Sequence, residues 1–362
     1  MTGFFIVILL LIAGVTTITL RHHAPSGYTT PGRILRICAS LTLILSVITM
    51  AALLVGPGSE NVLSLIMEFL QNGQWQDLTE TDRTILLSIR LPRILMAGIA
   101  GAVLSISGVV LQALLRNPLA DPYLLGVSGG SAVGAILAML TGLGAMVTGV
   151  QGAAFIGAVM TMILVLGIAG KGRGIQAHSL LLAGVIVNAF FSAVIMFLIS
   201  TSSSRELHGV LFWLMGDLSL LTGDEIPRSA LFLILGFAVC WTGARPLNVL
   251  IVGEESAMRL GIRPGRTRVV LFLTASLITA AVVSVCGMIG FVGLMIPHIM
   301  RILYGPDHRL LLPTAFLGGA AFMIMADTLA RTAIAPAELP VGVITALCGA
   351  PYFMYLLARR SV

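Results

Sequence analysis

"LRNPLADPYLLGVSGGSAVGA", residues 115–135, places Arg116, Asn117, Asp121 and two prolines in the middle of a long apolar stretch. Proline removes an N–H and clashes with the preceding turn, so a helix ends here. The sequence on either side is too apolar for a soluble domain. Of the whole chain, 57% is hydrophobic and 10% charged, against roughly 45–50% and 25% in soluble domains. With a mean hydropathy of +1.04 the chain reads as an integral membrane protein. Broken backbone at membrane depth is tolerated where it lines a cavity, so the 115–122 turn marks a place of interest.

A hydrocarbon core takes about 20 apolar residues per helix. Such windows lie near 3–20, 34–55, 92–112, 122–140, 150–169, 179–200, 228–244, 268–286, 289–304, 310–330 and 341–358. The fold class is therefore all-α: about ten transmembrane helices in a tight bundle, with an eleventh if residues 3–20 also cross. No positive n-region precedes "MTGFFIVILLLIAGVTTITLRHH", which disfavours a cleaved signal peptide. Residues 1–30 are set apart as an N-terminal extension, residues 31–362 as one membrane domain. Small residues in "AGIAGAVLSISGVVLQ" and "GMIGFVGLMIPH" let helices approach closely.

Orientation follows from the basic residues, because loops rich in Lys and Arg stay in the cytoplasm. With Arg33 and Arg36 inside and the spans alternating, 15 of the 21 Lys and Arg residues fall inside. Arg83, Arg90, Arg93, Arg205, Arg228 and Arg331 remain outside. The C-terminus is then cytoplasmic, and topology accounts for the net charge of +6 without nucleic acid.

Three segments between spans stand out. Residues 57–84 space Val62, Leu65, Ile66 and Phe69 as on an amphipathic helix at the outer interface. Residues 200–225 mix polar side chains with Trp213 and Met215. Residues 244–268 form the longest inner loop, with five arginines, the acidic pair Glu254 and Glu255, and a helical stretch ended by Gly261 and Pro264. A short charged helix between two spans suits a contact with another protein.

Chemistry within the chain is sparse. Cys38, Cys240, Cys286 and Cys348 sit singly in apolar runs, with no metal-ligand spacing. "VLGIAGKGRG" lacks the first glycine and the final hydroxyl of a phosphate-binding loop, so any ATP belongs to another chain. "GVSGG" would make an intramembrane serine protease only if His298 reached Ser128. Asp327 lies inside a span, and an acid at a helix centre costs roughly 2.5–3.5 kcal/mol on insertion scales. It suggests either an ion-coupled secondary transporter or a pairing with a neighbouring helix or Arg331. Asn188, an amide in mid-span, needs a hydrogen-bonding partner or water, and is a candidate for the pathway.

"IRLPRILMAGIAGAVLSISGVVLQALLRNPLADPYLLGVSGGSAVGA", "LLLAGVIVN", "GEESAMRLGI", "GMIGFVGLMIPHIMR" and "AELPVGVITALCGAPYFMYLL" together resemble the FecCD-type permeases, the membrane subunits of type II ABC importers for iron-siderophores, haem and cobalamin. The resemblance runs from about residue 33 to the C-terminus. It implies a ten-span permease in a bacterial inner membrane, without an active site of its own. A homodimer would work with two cytoplasmic ATPase subunits, which hold ATP and Mg, and with a periplasmic or lipid-anchored binding protein. No cofactor or metal is implied for this chain. By the same resemblance the 115–122 turn closes the pathway inside, making Asn117 and Leu119 gate candidates. Ala177 and His178 would form a second constriction, although small hydroxylated residues are usual there. Glu254, Ala257, Leu260 and Gly261 would couple to the ATPase, and Arg90, Arg93 and Arg331 would dock the binding protein.

Overall fold

The structure, a computed structural model, describes residues 29–56, 83–142, 149–170, 176–219, 221 and 223–360. The extra N-terminal span and the amphipathic helix expected near 62–69 lie outside the described residues. The helices are α1 Pro31–Leu54, α2 Leu91–Leu114 entered through a π-helical turn Thr84–Arg90, α3 Val127–Leu140, α4 Gly149–Ala169, α5 Ala177–Thr201, α6 Ser204–Leu214 and α7 Glu225–Thr242. They continue with α8 Ala244–Val252, α9 Glu254–Arg259, α10 Pro264–Cys286, α11 Val292–Tyr304, α12 His308–Thr332 and α13 Val341–Arg360. The described residues contain no strand. Seven helices are long and apolar enough to cross a membrane, and α3, α11 and residues 341–356 of α13 are shorter apolar helices. Together they occupy the ten windows expected from residue 31 onward.

Local chemistry sets the ends. Thr30 caps α1, its hydroxyl accepting from the Arg33 N–H at 3.3 Å, and Pro31 supplies the preset φ that suits a first helical turn. Pro264 does the same for α10. Asp307 caps α12 by accepting from the Arg309 N–H at 3.0 Å.

Two expected full spans, 122–140 and 289–304, are shorter helices preceded by irregular backbone. Pro122–Leu125 is a 3-10 turn, started by Asp121 accepting from the Tyr123 N–H at 2.8 Å. Gly126, at φ +77°, redirects the chain into α3, a conformation open to glycine at little steric cost. On the facing segment the helix stops at Cys286 and resumes only at Val292. The two breaks lie against each other: the Tyr123 hydroxyl accepts from the Ile289 N–H, and Gln112 Nε2 donates to the Gly293 carbonyl at 3.3 Å. Hydropathy marked both stretches as spans because apolar residues continue through the breaks. Backbone groups freed there find partners within the protein, as where the Cys286 carbonyl accepts from the Asp217 N–H at 2.9 Å and the Trp213 carbonyl from the Met288 N–H at 3.3 Å, which hydrocarbon could not supply.

The core is built on α2 and α12, which make the most extensive helix pair and are the most buried long spans with α10. Their contact is possible only without side chains. A Cβ on Gly101 would enter the Gly319 carbonyl, and one on Gly319 would enter Ser105 and the Gly101 carbonyl. Gly108 meets the Gly293 carbonyl of α11 in the same way, and Gly130 of α3 meets Gly157 of α4. Between α2 and α10, Ser107 donates to the Ala275 carbonyl at 3.0 Å and Thr279 to Ser107 at 2.9 Å.

Glycine-to-alanine substitutions should therefore differ in sign by position. Gly167 has no neighbour within reach of an added Cβ, so Gly167→Ala should stabilise by about 0.4–1 kcal/mol through the unfolded chain. Gly108→Ala should destabilise by roughly 1–3 kcal/mol through overpacking. Thermal unfolding of the purified protein in detergent checks both, and a neutral Gly108→Ala would refute the packing described.

Candidate functional site

Charged and polar side chains gather at the two ends of the bundle. At the end where α1 and α12 finish, Arg93 Nε lies 2.7 Å from Asp327 Oδ1 and its Nη1 lies 2.5 Å from Glu338 Oε2. Arg331 Nε is 3.2 Å from Asp327 Oδ2, an ion pair by distance in an orientation unsuited to a hydrogen bond. The remaining donors close off α1: Arg90 Nη1 donates to the Leu53 carbonyl at 2.8 Å and Arg331 Nη2 to the Ala52 carbonyl at 3.2 Å. The last carbonyls of a helix lack intrahelical partners, and its negative end favours cations, so two guanidiniums suit this position.

Sequence reasoning placed Arg90, Arg93 and Arg331 together at one end, and the structure does bring them together. It also buries them, at 3%, 5% and 3% exposure. Asp327 pairs with both a neighbouring helix and Arg331. Glu338 was missed, although three guanidiniums beside one carboxylate should have called for another acid nearby.

At the opposite end, α8 and α9 connect α7 to α10, and α8 packs on α2 and α12. Glu254 pairs with the buried Arg268 at 2.6 Å, Ala257 is fully buried, and Gly261 turns the chain at φ +76° with open space around it. Ala257 therefore packs the element against the bundle. Leu260 is 69% exposed, as are Met258 at 58% and Val252 at 77%, two residues that sequence reasoning passed over. Arg116 Nη2 donates to the Leu250 carbonyl at 2.7 Å, tying the α2 terminus to α8. Asp307 accepts from Asn248 Nδ2 at 2.8 Å. Burial would raise the Asp307 carboxyl, but bonds from Arg309, Thr29 and Asn248 hold it below the usual carboxylate range.

Asn117 and Leu119 sit on the turn that follows α2, where Asn117 Oδ1 accepts from the Leu119 N–H at 2.9 Å and Leu119 is exposed. Ala177 and His178 open α5, half-buried and exposed respectively, and α5 packs on the Pro122–Leu125 turn. Asn188 lies on α5 beside Gly129 of α3, an inter-helix position. The protease pairing does not form: the His298 ring packs against Tyr352 and Phe353 of α13, at 6.1 and 6.2 Å between centroids. Ser128 is buried at the start of α3, which packs on α4 and α5.

Removing Asp327 takes from Arg331 its carboxylate and leaves Arg93 only Glu338, and breaking a buried pair this way costs about 3–5 kcal/mol. Asp327→Ala should accordingly lose most of its folded yield, while Glu338→Gln, at a half-exposed partner, should be far milder. Equal melting temperatures for Asp327→Ala and the parent in detergent would contradict the network.

Residues 43–359 match the model of the FecCD transport family. The cobalamin import system permease protein BtuC of Halobacterium salinarum is 45% identical over 284 residues, 78% of this chain and 76% of that protein. The hemin transport system permease protein HmuU of Yersinia pestis is 39% identical over 90% of this chain and 97% of its own length. Among solved structures, an inward-facing transporter assigned to the metal-chelate type of ABC transporters superimposes with a TM-score of 0.79 at 33% identity, covering 90% of this chain and 99% of that one. This membrane bundle, in which two broken helices meet and of which residues 43–359 fit the family model, belongs to the FecCD transport family.

Proposed function

We propose that the chain is the translocation subunit of a binding-protein-dependent importer carrying a metal chelate of the cobalamin, haem or siderophore kind into the cytoplasm. Two copies enclose the pathway, and two separate ATPase subunits, which hold the ATP and Mg, drive it. The chain lies in a bacterial inner membrane with α9 and the C-terminus inside, an orientation supported by the 15 of 21 basic residues it places there.

The observation that carries this reading is the α8–α9 element. Val252, Met258 and Leu260 present apolar side chains outside any span, each more than half exposed. Buried Ala257 and the Glu254–Arg268 pair fix the element to the bundle. Apolar surface of this kind marks a protein contact, and a rigid mounting lets a partner's movement reach α10. Asn117, Leu119, Ala177 and His178 serve as the inner gate. Asn188 lies near the pathway. At the outer face a carboxylate of the binding protein reaches Arg93 by taking the place of Glu338, with Arg90 and Arg331 supporting the exchange. An ion-coupled secondary transporter is disfavoured by Asp327, whose charge is taken up by Arg93 and Arg331.

Leu260→Asp and Met258→Asp alter exposed positions, where substitutions usually change stability by about 0.5 kcal/mol or less. They should leave the melting temperature unchanged and reduce co-purification of the ATPase subunit at least about tenfold, the effect of losing roughly 1.4 kcal/mol of contact. Retention of the ATPase by the double variant at parental levels would overturn the coupling assignment.

A further inference from the structure

A cleft of about 260 Å³ opens between the N-terminal ends of α4 and α7 and the C-terminal end of α10, at the same end of the bundle as Arg93. It belongs neither to the arginine network nor to α9. Glu225, 3% exposed, forms its polar wall and accepts from Gln151 Nε2 and from the Gly223 N–H, both at 3.1 Å. Arg228, one turn further along α7, is exposed and has no carboxylate partner among the described residues. Below them Phe155 and Phe232 pack with ring centroids 5.8 Å apart and line the cleft.

The vertical order of these groups follows that of a lipid. Glu225 begins an 18-residue apolar span, whose length of about 27 Å nearly equals the roughly 30 Å hydrocarbon thickness. Its first residue therefore sits at the headgroup boundary. A rise of about 1.5 Å per residue puts Phe232 roughly 10 Å deeper, among acyl chains. An anionic group and a cationic group at headgroup level complement a molecule that carries both charges. The volume falls below the roughly 300–1,000 Å³ of clefts that enclose drug-sized ligands, so it admits a headgroup and excludes a chelate.

We propose that this cleft binds the headgroup of a zwitterionic phospholipid with a primary amine. The ammonium lies against Glu225, the phosphate against Arg228, and the first acyl carbons along Phe155 and Phe232. A primary ammonium donates hydrogen bonds to a carboxylate. A trimethylammonium cannot, and this sets the preference. The site depends on the bundle lying in a membrane; assignment to the outer leaflet rests on the orientation proposed above.

The test is native mass spectrometry of the purified full chain after exchange into detergent with equimolar dioleoyl phosphatidylethanolamine, phosphatidylcholine and phosphatidylglycerol. The parent should retain phosphatidylethanolamine at least about fivefold over phosphatidylcholine. Glu225→Gln should abolish that preference, and Arg228→Gln should reduce retention of phosphatidylethanolamine. Equal retention of the three lipids by the parent would overturn the proposal. Should Glu225→Gln lose its helical circular dichroism, Arg228→Gln decides alone: it alters an exposed side chain, and unchanged phosphatidylethanolamine retention in it would also overturn the proposal.

Discussion

The close approach of α2 and α12 is the constraint on which the other contacts depend. In a bilayer, burial of apolar surface gives helices little reason to associate, and packing with hydrogen bonds must serve instead. Gly101 and Gly319 bring the two backbones together, and the Arg93–Asp327 pair locks one end of the two helices in register. With that register set, Gly108 meets the Gly293 carbonyl, and Gln112 reaches the same carbonyl. The broken start of α11 is held in place as a result. Sliding α2 by one turn would separate the ion pair and drive side chains into backbone at the same time.

The same arrangement answers why the chain is broken after α2. Pro118 and Pro122 end regular helix where Arg116 can tie to α8 and where Tyr123 can accept from Ile289. One short stretch thus touches the α8–α9 element at its start and the interior break before α11 at its end. These contacts link α8 to the irregular backbone beside α5, the route that the proposed coupling of α9 to the proposed gate would need.

Much of this was legible in the sequence, for reasons specific to lipid. The absence of water forces long apolar helices, so windows such as 92–112 and 310–330 located α2 and α12. Glycine spacing in "AGIAGAVLSISG" announced close packing. The lengths of α3 and α11 were not legible, because residues 287–291 are as apolar as a helix and differ from one only in backbone conformation. Charge alone placed Arg90, Arg93 and Arg331 at one end but could not tell an exposed guanidinium from one bound to the carbonyls of α1 or to Glu338. The burial of Ala257 was not legible for a related reason: within a charged segment only the turn around a residue shows which face is buried. Met258 and Val252 were passed over because apolar residues attract no notice in so apolar a chain.

If ATP hydrolysed on a separate chain drives a chelate through this bundle, uptake of radiolabelled cobalamin, haem or ferric siderophore into proteoliposomes will show it, with the chain reconstituted alongside its co-purified ATPase and binding protein. At least one of these chelates should accumulate in a manner that requires ATP on the α9 side, requires the binding protein on the other, and is indifferent to proton and sodium gradients. Accumulation driven by an ion gradient in the absence of ATP would contradict it.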